Sequence, residues 1–145
     1  MIRTDNEYQE AHKRLLKDQE VMTEQRQRMG ELGLSEKDIE NAMEPAVSFH
    51  LQLQEEVEWY ERVKNGDFRP IEYLDEVGHL LIGLRIYLGL SQKELADRLG
   101  VSEAQVSRDE KNEYHGITVE RAQKIFEALK AGIELRVKRP DRICA

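Results

Sequence analysis

Ser91 and Glu94 stand three residues apart, and Ser102 and Gln105 repeat the spacing. A hydroxyl oxygen at the first position can accept from the third helical amide while the longer side chain returns a bond to the cap, so this chemistry starts helices rather than breaks bonds. Between the two starts, Leu95, Ala96 and Leu99 fall on one helical face, Gly100 can take the left-handed turn that a side chain resists, and Val101 and Val106 resume the apolar face. Two helices so closely joined cross steeply. The second then projects, the geometry that sets its first turns in a major groove of double-stranded DNA.

Residues that could carry catalysis or a metal are sparse by comparison. There is no HExxH, no glycine-rich phosphate loop and no pair of cysteines. His12, His50, His79 and His115 lie far apart on segments that helix faces explain. His50 with Glu55 and Glu58 has offsets of five and eight, which do not share one helical face. Cys144, alone in a polar tail, has no internal partner for a disulfide or a metal cluster. The expectation is a protein without catalytic function, cofactor or metal.

The 145 residues leave room for one ordinary domain and an appendage, with 39% hydrophobic residues to bury and 35% charged ones to hold in water. No apolar run approaches the roughly 18 to 20 residues of a membrane span, and the opening MIRTDNEYQE is too acidic for a signal peptide, so a cytoplasmic protein is expected. The formal net charge is −7, which argues against indiscriminate nucleic-acid binding. Residues 1–70 carry ten Lys or Arg against sixteen Asp or Glu, whereas residues 71–145 carry twelve against thirteen. Most of the negative charge therefore sits away from the two short helices, and DNA affinity has to come from locally placed basic groups and dimerisation.

The elements that must position these helices follow from the rest of the pattern. Thr4 and Glu7 open a first helix in which Tyr8, Leu15, Met22 and Met29 recur every seven residues, with Ala11 and Leu32 at the companion positions. Asp18 and Gln25 interrupt that seam, which favours a hairpin over a free-standing coiled coil. Gly30 and Gly33 close the helix and Ser35 opens another. Pro45 should break or kink the second segment, after which Phe49, Leu53, Val57 and Tyr60 form a stripe that ends at Asn65 and Gly66. Residues 1–66 thus read as two or three acidic amphipathic helices for dimerisation or partner binding.

After a linker around residues 66–70, residues 71–139 read as a second unit. Val77, Leu80, Leu81, Leu84 and Leu88 outline its first helix, and the two capped helices follow at about 91–99 and 102–111. Thr118 opens a longer helix with Ala122, Ile125, Phe126 and Leu129 facing inward and Gly132 at its end. Ile133, Leu135 and Val137 alternate with Glu134, Arg136 and Lys138, which predicts a short strand before Pro140 and a tail at 140–145. A lone strand needs a partner. It pairs with its copy in a second subunit, or it is a tail that orders only on binding.

Residues 80–129 resemble the lambda-repressor-like (XRE) helix-turn-helix domains. The likeness is carried by Leu90, Ser91 and Gln92, by Leu95, Ala96, Leu99, Gly100 and Val101, by Ser102, Val106, Ser107, Arg108 and Glu110, and by the helix from Thr118. It implies an all-α fold, a five-helix DNA-binding bundle preceded by amphipathic helices, with the short C-terminal strand appended. Upstream, the opening IRTDNEY, the pair Tyr60 and Glu61, and the step Pro70 to Ile71 are similar to HigA-type antitoxins, which carry a helical region before the same domain.

The resemblance also assigns roles. It implies that Gln92, helped by Ser91 and Lys93, clamps a phosphate, that Glu103, Ala104, Ser107 and Arg108 read bases near the Ser102 cap, and that Lys111 and Asn112 reach the backbone. Arg108 can make a bidentate bond to guanine, Ala104 can touch a thymine methyl and Glu103 can accept from a cytosine amine. Other uses compete: a capping box for Gln105, the helix dipole for Glu103, and pairing with Asp109 or Glu110 for Arg108. Tyr114 is expected to cover the core, although it or His115 can be pictured on a sugar-phosphate. Asp109 departs from the family, which commonly has an apolar residue there that packs inward. Burying an unpaired aspartate costs several kcal/mol, so the helix ends early or Asp109 faces solvent or a basic partner. The function implied is a sequence-specific transcriptional repressor, a homodimer on an inverted repeat, in the form of an autoregulating antitoxin with a basic toxin as partner. The alternative is an interaction module of the same fold without useful DNA affinity.

Overall fold

A computed structural model describes residues 1–141, so Cys144 and the end of the expected tail lie outside the described residues. The elements are α1 (Asp5–Glu31), α2 (Glu36–Lys64), a 3-10 turn (Leu74–Glu76), α3 (Val77–Tyr87), α4 (Gln92–Leu99), α5 (Glu103–Lys111) and α6 (Val119–Ala128). Among the described residues there is no strand.

α1 and α2 form the antiparallel hairpin that the interrupted seam predicts. Thr4 Oγ1 caps α1 by accepting from the Glu7 amide, and Ser35 Oγ caps α2 through the Asp38 amide. At the base of the hairpin the Tyr8 and Tyr60 rings stack at 5.1 Å. The Tyr60 hydroxyl donates to Asp5 Oδ1 at 2.8 Å, and Lys64 pairs with the same carboxylate. The lysine bond and then the tyrosine bond hold the Asp5 carboxyl below its usual range.

Three expectations for this region need correction. α2 runs unbroken through Pro45. Pro45 and Asn41 are both exposed, so the ring lies on the solvent side and the carbonyl it leaves unbonded can be hydrated. Phe49 is 70% exposed rather than part of the buried stripe, because the contact line of α2 follows Met43, His50 and Val57, seven residues apart, and leaves Phe49 one position outside it. Leu32, placed in the seam by its spacing, is exposed beyond the end of α1.

The buried core gathers Leu81, Ile82 and Ile86 of α3, Leu95 and Ala96 of α4, Val106 of α5, and Ala122, Ile125 and Phe126 of α6. Ile2, Ala11, Val57, Tyr60 and Val63 join the same cluster, so the base of the hairpin packs on α3. Residues 71–139 contain four α-helices and a 3-10 turn instead of five helices. α6 also stops at Ala128, ahead of Gly132, with Lys130 taking the positive φ of the exit turn. The expected strand is absent from residues 129–141: Leu135 and Val137 are exposed, and among the described residues no backbone pairs with them. Alternation of side chains supplies one face of a sheet but not the second backbone that a ladder requires.

Candidate nucleic-acid interface

α4 begins as its spacing predicts. Ser91 Oγ accepts from the Glu94 amide at 3.1 Å, while the Glu94 carboxylate accepts from the Ser91 amide at 2.7 Å. The Ser91 bonds, the backbone one foremost, hold the Glu94 carboxyl below its usual range. Gly100 takes φ +68° at the C-terminus, and the Val101 amide donates back to the Ala96 carbonyl at 3.1 Å, closing the turn between α4 and α5. At α5 the reciprocal cap is half made. Ser102 Oγ accepts from the Gln105 amide at 3.2 Å, but the Gln105 side chain runs along the helix and finds a carboxylate four residues on. Its Nε2 donates to Asp109 Oδ1 at 2.9 Å, and its Oε1 accepts from Arg108 Nη2 at 3.2 Å.

The inner side of α5 is fixed by an ion pair that sequence reasoning missed. Glu110 is 1% exposed and Arg85 is 3% exposed. Arg85 Nη2 donates to Glu110 Oε2 at 2.8 Å, and its Nε bonds the other carboxylate oxygen, the two-pronged geometry that suits a guanidinium. Arg85 Nη1 donates to the Leu90 carbonyl at 2.8 Å, and Nη2 donates also to the Arg3 carbonyl at 3.0 Å. Gln92 Nε2 also donates to Glu110 Oε2, at 2.7 Å. Gln92, which the resemblance assigns to a phosphate, is therefore half-buried, with one amide hydrogen already placed on Glu110. A signal for this pair existed. Glu110 stands one turn after Val106 on the inward face, and Arg85 stands among Leu81, Ile82 and Ile86, so each charge interrupts an apolar stripe.

The outer side of α5 is open. Glu103, Ala104, Arg108 and Lys111 are exposed, Ser107 is half-buried, and Ser91, Lys93, Ser102 and Asn112 are exposed around them. Asp109 faces a basic partner, forming an ion pair with Arg121 of α6, and the helix continues past it to Lys111. The two acids beside Arg108 are therefore both engaged elsewhere, Asp109 by Arg121 and Glu110 by Arg85. Among the described residues Arg108 bonds only to its own helix, through Nε to the Ala104 carbonyl at 3.3 Å and through Nη2 to Gln105. This arrangement leaves an arginine on an exposed helical face with its neighbours' negative charge satisfied, a fork able to meet a planar acceptor pair. A cleft of about 380 Å³ flanks the site between the hairpin base and α4, its lining including Arg3, Asp5, Lys64, Arg85, Glu94 and Glu103.

The turn leaving α5 sits directly on α3. Glu113 and Tyr114 adopt φ of +53° and +52°, and a Cβ built on Gly78 would lie 1.9 Å from the Glu113 carbonyl oxygen. Only glycine admits that approach. His79 Nε2 bonds Glu113 Oε2 at 2.9 Å beside it. Tyr114 is buried, as expected of a core cover. Burial, followed by the charges of Glu110 and Asp109, pushes its hydroxyl far above the usual tyrosine range. His115 is exposed. No group of three or more His, Cys, Asp or Glu able to hold a metal occurs among the described residues, and no helix among them is long and apolar enough to cross a membrane.

Residues 84–135 match the helix-turn-helix family, of the XRE, lambda-repressor-like type. The chain is also 43% identical over 58 residues to the RNA polymerase sigma-F factor of Bacillus licheniformis, a stretch that covers 40% of this chain and 22% of that protein. It is 43% identical over 56 residues to the RNA polymerase sigma-F factor of Priestia megaterium, covering 39% of this chain and 21% of that protein. The chain thus spans about a fifth of the length of these curated relatives. No solved structure matches it. Residues 84–135 thus form a helix-turn-helix domain.

Proposed function

We propose that this protein is a sequence-specific transcriptional repressor that acts in the cytoplasm as a homodimer. The observation that carries the reading is the open outer face of α5, where Arg108 stands exposed while Asp109 and Glu110 are paired with other arginines. On this reading Arg108 meets guanine, Ala104 a thymine methyl and Glu103 a cytosine amine, with Ser107 alongside. Gln92, Ser91, Ser102 and Lys93 hold one phosphate run, and Lys111 and Asn112 the other. Two such helices about 34 Å apart enter successive major grooves of an inverted repeat and exclude polymerase by occupancy.

The finer reading is an antitoxin that represses its own genes. The acidic hairpin supports it, since residues 1–70 hold most of the −7 net charge and suit a small basic toxin as partner. The same net charge favours a second reading, an interaction module that keeps the fold without useful DNA affinity. Titration against a duplex from the region upstream of the gene, at two salt concentrations, separates them. A repressor shows saturable binding that weakens with salt, and Arg108→Ala lowers preference at one base position by about 1 to 3 kcal/mol. Equal affinity for a scrambled duplex, or none, supports the interaction module. Copurification of a small basic protein with residues 1–66 is the outcome expected of an antitoxin; a chain that purifies alone from its native host counts against it.

A further inference from the structure

Four polar side chains make a continuous line across the outer edge of the helix-turn-helix unit. Arg108 Nη2 donates to Gln105 Oε1 at 3.2 Å, Gln105 Nε2 donates to Asp109 Oδ1 at 2.9 Å, and Asp109 Oδ2 is paired with Arg121. The line begins on the exposed face of α5 and ends on α6. Its polarity is self-consistent, because each amide atom of Gln105 meets a partner of the opposite kind: its oxygen faces a guanidinium and its nitrogen faces a carboxylate. Gln105 and Asp109 are half-buried, whereas Arg108 and Arg121 are exposed, so the middle of the line is packed in place while both of its ends have solvent around them.

We infer that Gln105 is a positioning residue for Arg108, held in turn by Asp109 and Arg121, and that this line sets the specificity of the guanidinium. The inference rests on the reading of α5 as the element that reads bases. An unrestrained arginine has four rotatable side-chain torsions and loses much of their freedom on docking. One whose side chain is already bonded to Ala104 and Gln105 of its own helix has surrendered part of that freedom beforehand and presents its remaining donors in one direction. Asp109, where an apolar residue would pack inward, is thereby given a task. It fixes which way the Gln105 amide points, and Arg121 offsets the cost of its partial burial.

The test uses the full chain and duplexes enriched by the unsubstituted protein from a randomised pool. Gln105→Met keeps the helix and side-chain length while removing both polar atoms. It is expected to lower discrimination at the base read by Arg108 by about two- to tenfold, the factor that side-chain ordering of this kind supplies. In an Arg108→Ala background the same substitution is expected to change discrimination by less than about twofold, because the residue through which it acts is gone. Arg121→Gln should weaken discrimination at the same base and leave the salt dependence of binding unchanged, whereas an Arg121 that touched phosphate would reduce the slope by about one unit. An undiminished Gln105→Met effect in the Arg108→Ala background, or loss of affinity spread evenly over all bases, overturns the positioning role while leaving α5 as the reading element. Enrichment of no sequence by the unsubstituted chain overturns both.

Discussion

The far half of the α1–α2 hairpin and the helix-turn-helix unit are built from the same kind of amphipathic helix, yet they hold together differently. From about residue 14 to residue 50, Met43 alone is buried, and Leu16, Phe49 and Leu32 face water. The shorter helices α3 to α6 bury nine apolar side chains in one cluster with the Arg85–Glu110 pair on its edge. Length is therefore no guide to anchorage here. A long helix in contact with one partner shares a line, whereas a short helix in contact with two or three shares a volume, and apolar burial scales with the area each removes from water.

That contrast can be broken most severely at the ion pair. Glu110→Ala leaves the Arg85 guanidinium buried and uncompensated and strips Gln92 of its acceptor, so a loss of about 3 to 5 kcal/mol is expected in urea melts. A loss below about 1 kcal/mol would mean that water reaches Arg85 and that the unit is less tightly closed than its burial implies. Next in size is Met43→Ala, expected to cost about 2 to 4 kcal/mol because the side chain is enclosed, while Phe49→Ala nearby should change stability by under about 0.5 kcal/mol. Equal effects at the two positions would show that the far half of the hairpin has a second covered face.

The smallest effect is a dependence on acid at the hairpin base. Asp5 is bonded by Lys64 and Tyr60, and its folded-state pKa is lowered. A depressed carboxyl contributes stability that is present above its unfolded value of about 4 and is lost as pH falls through the folded value. Asp5→Asn should therefore flatten the fall of stability below about pH 4, read by thermal melts at a series of pH values, with little change in the slope above pH 6. An unchanged acid slope would mean that the Lys64 and Tyr60 contacts to Asp5 are not kept in solution.

The two units also differed in how far their sequences disclosed them. Ser91, Glu94, Gly100 and Ser102 announced α4 and α5 because caps and left-handed turns are local, made within five residues of chain. Arg85 and Glu110 are 25 residues apart, and only the folded core shows that their two apolar faces converge. Gln105 illustrates a competition. Its spacing from Ser102 satisfies the capping box, but a carboxylate on the next turn of the same face draws the side chain away. Pro45 and residues 133–137 misled for the same reason from opposite sides. Proline is a local breaker that solvent around a long helix can accommodate, and side-chain alternation is a local strand signal with no second backbone to complete it.

The bare Cα of Gly78 has a practical consequence for anyone who would give this domain a new target. Because the Glu113 carbonyl rests where a methyl group would stand, the exit turn is seated on α3 as a key is seated in a lock. Replacement helices grafted between residues 103 and 111 should therefore be transplanted with residues 112–116 and with the glycine beneath them, as a single cassette. A graft that stiffens α3 with alanine at that point would lift the whole insert off its bed before any base was tested.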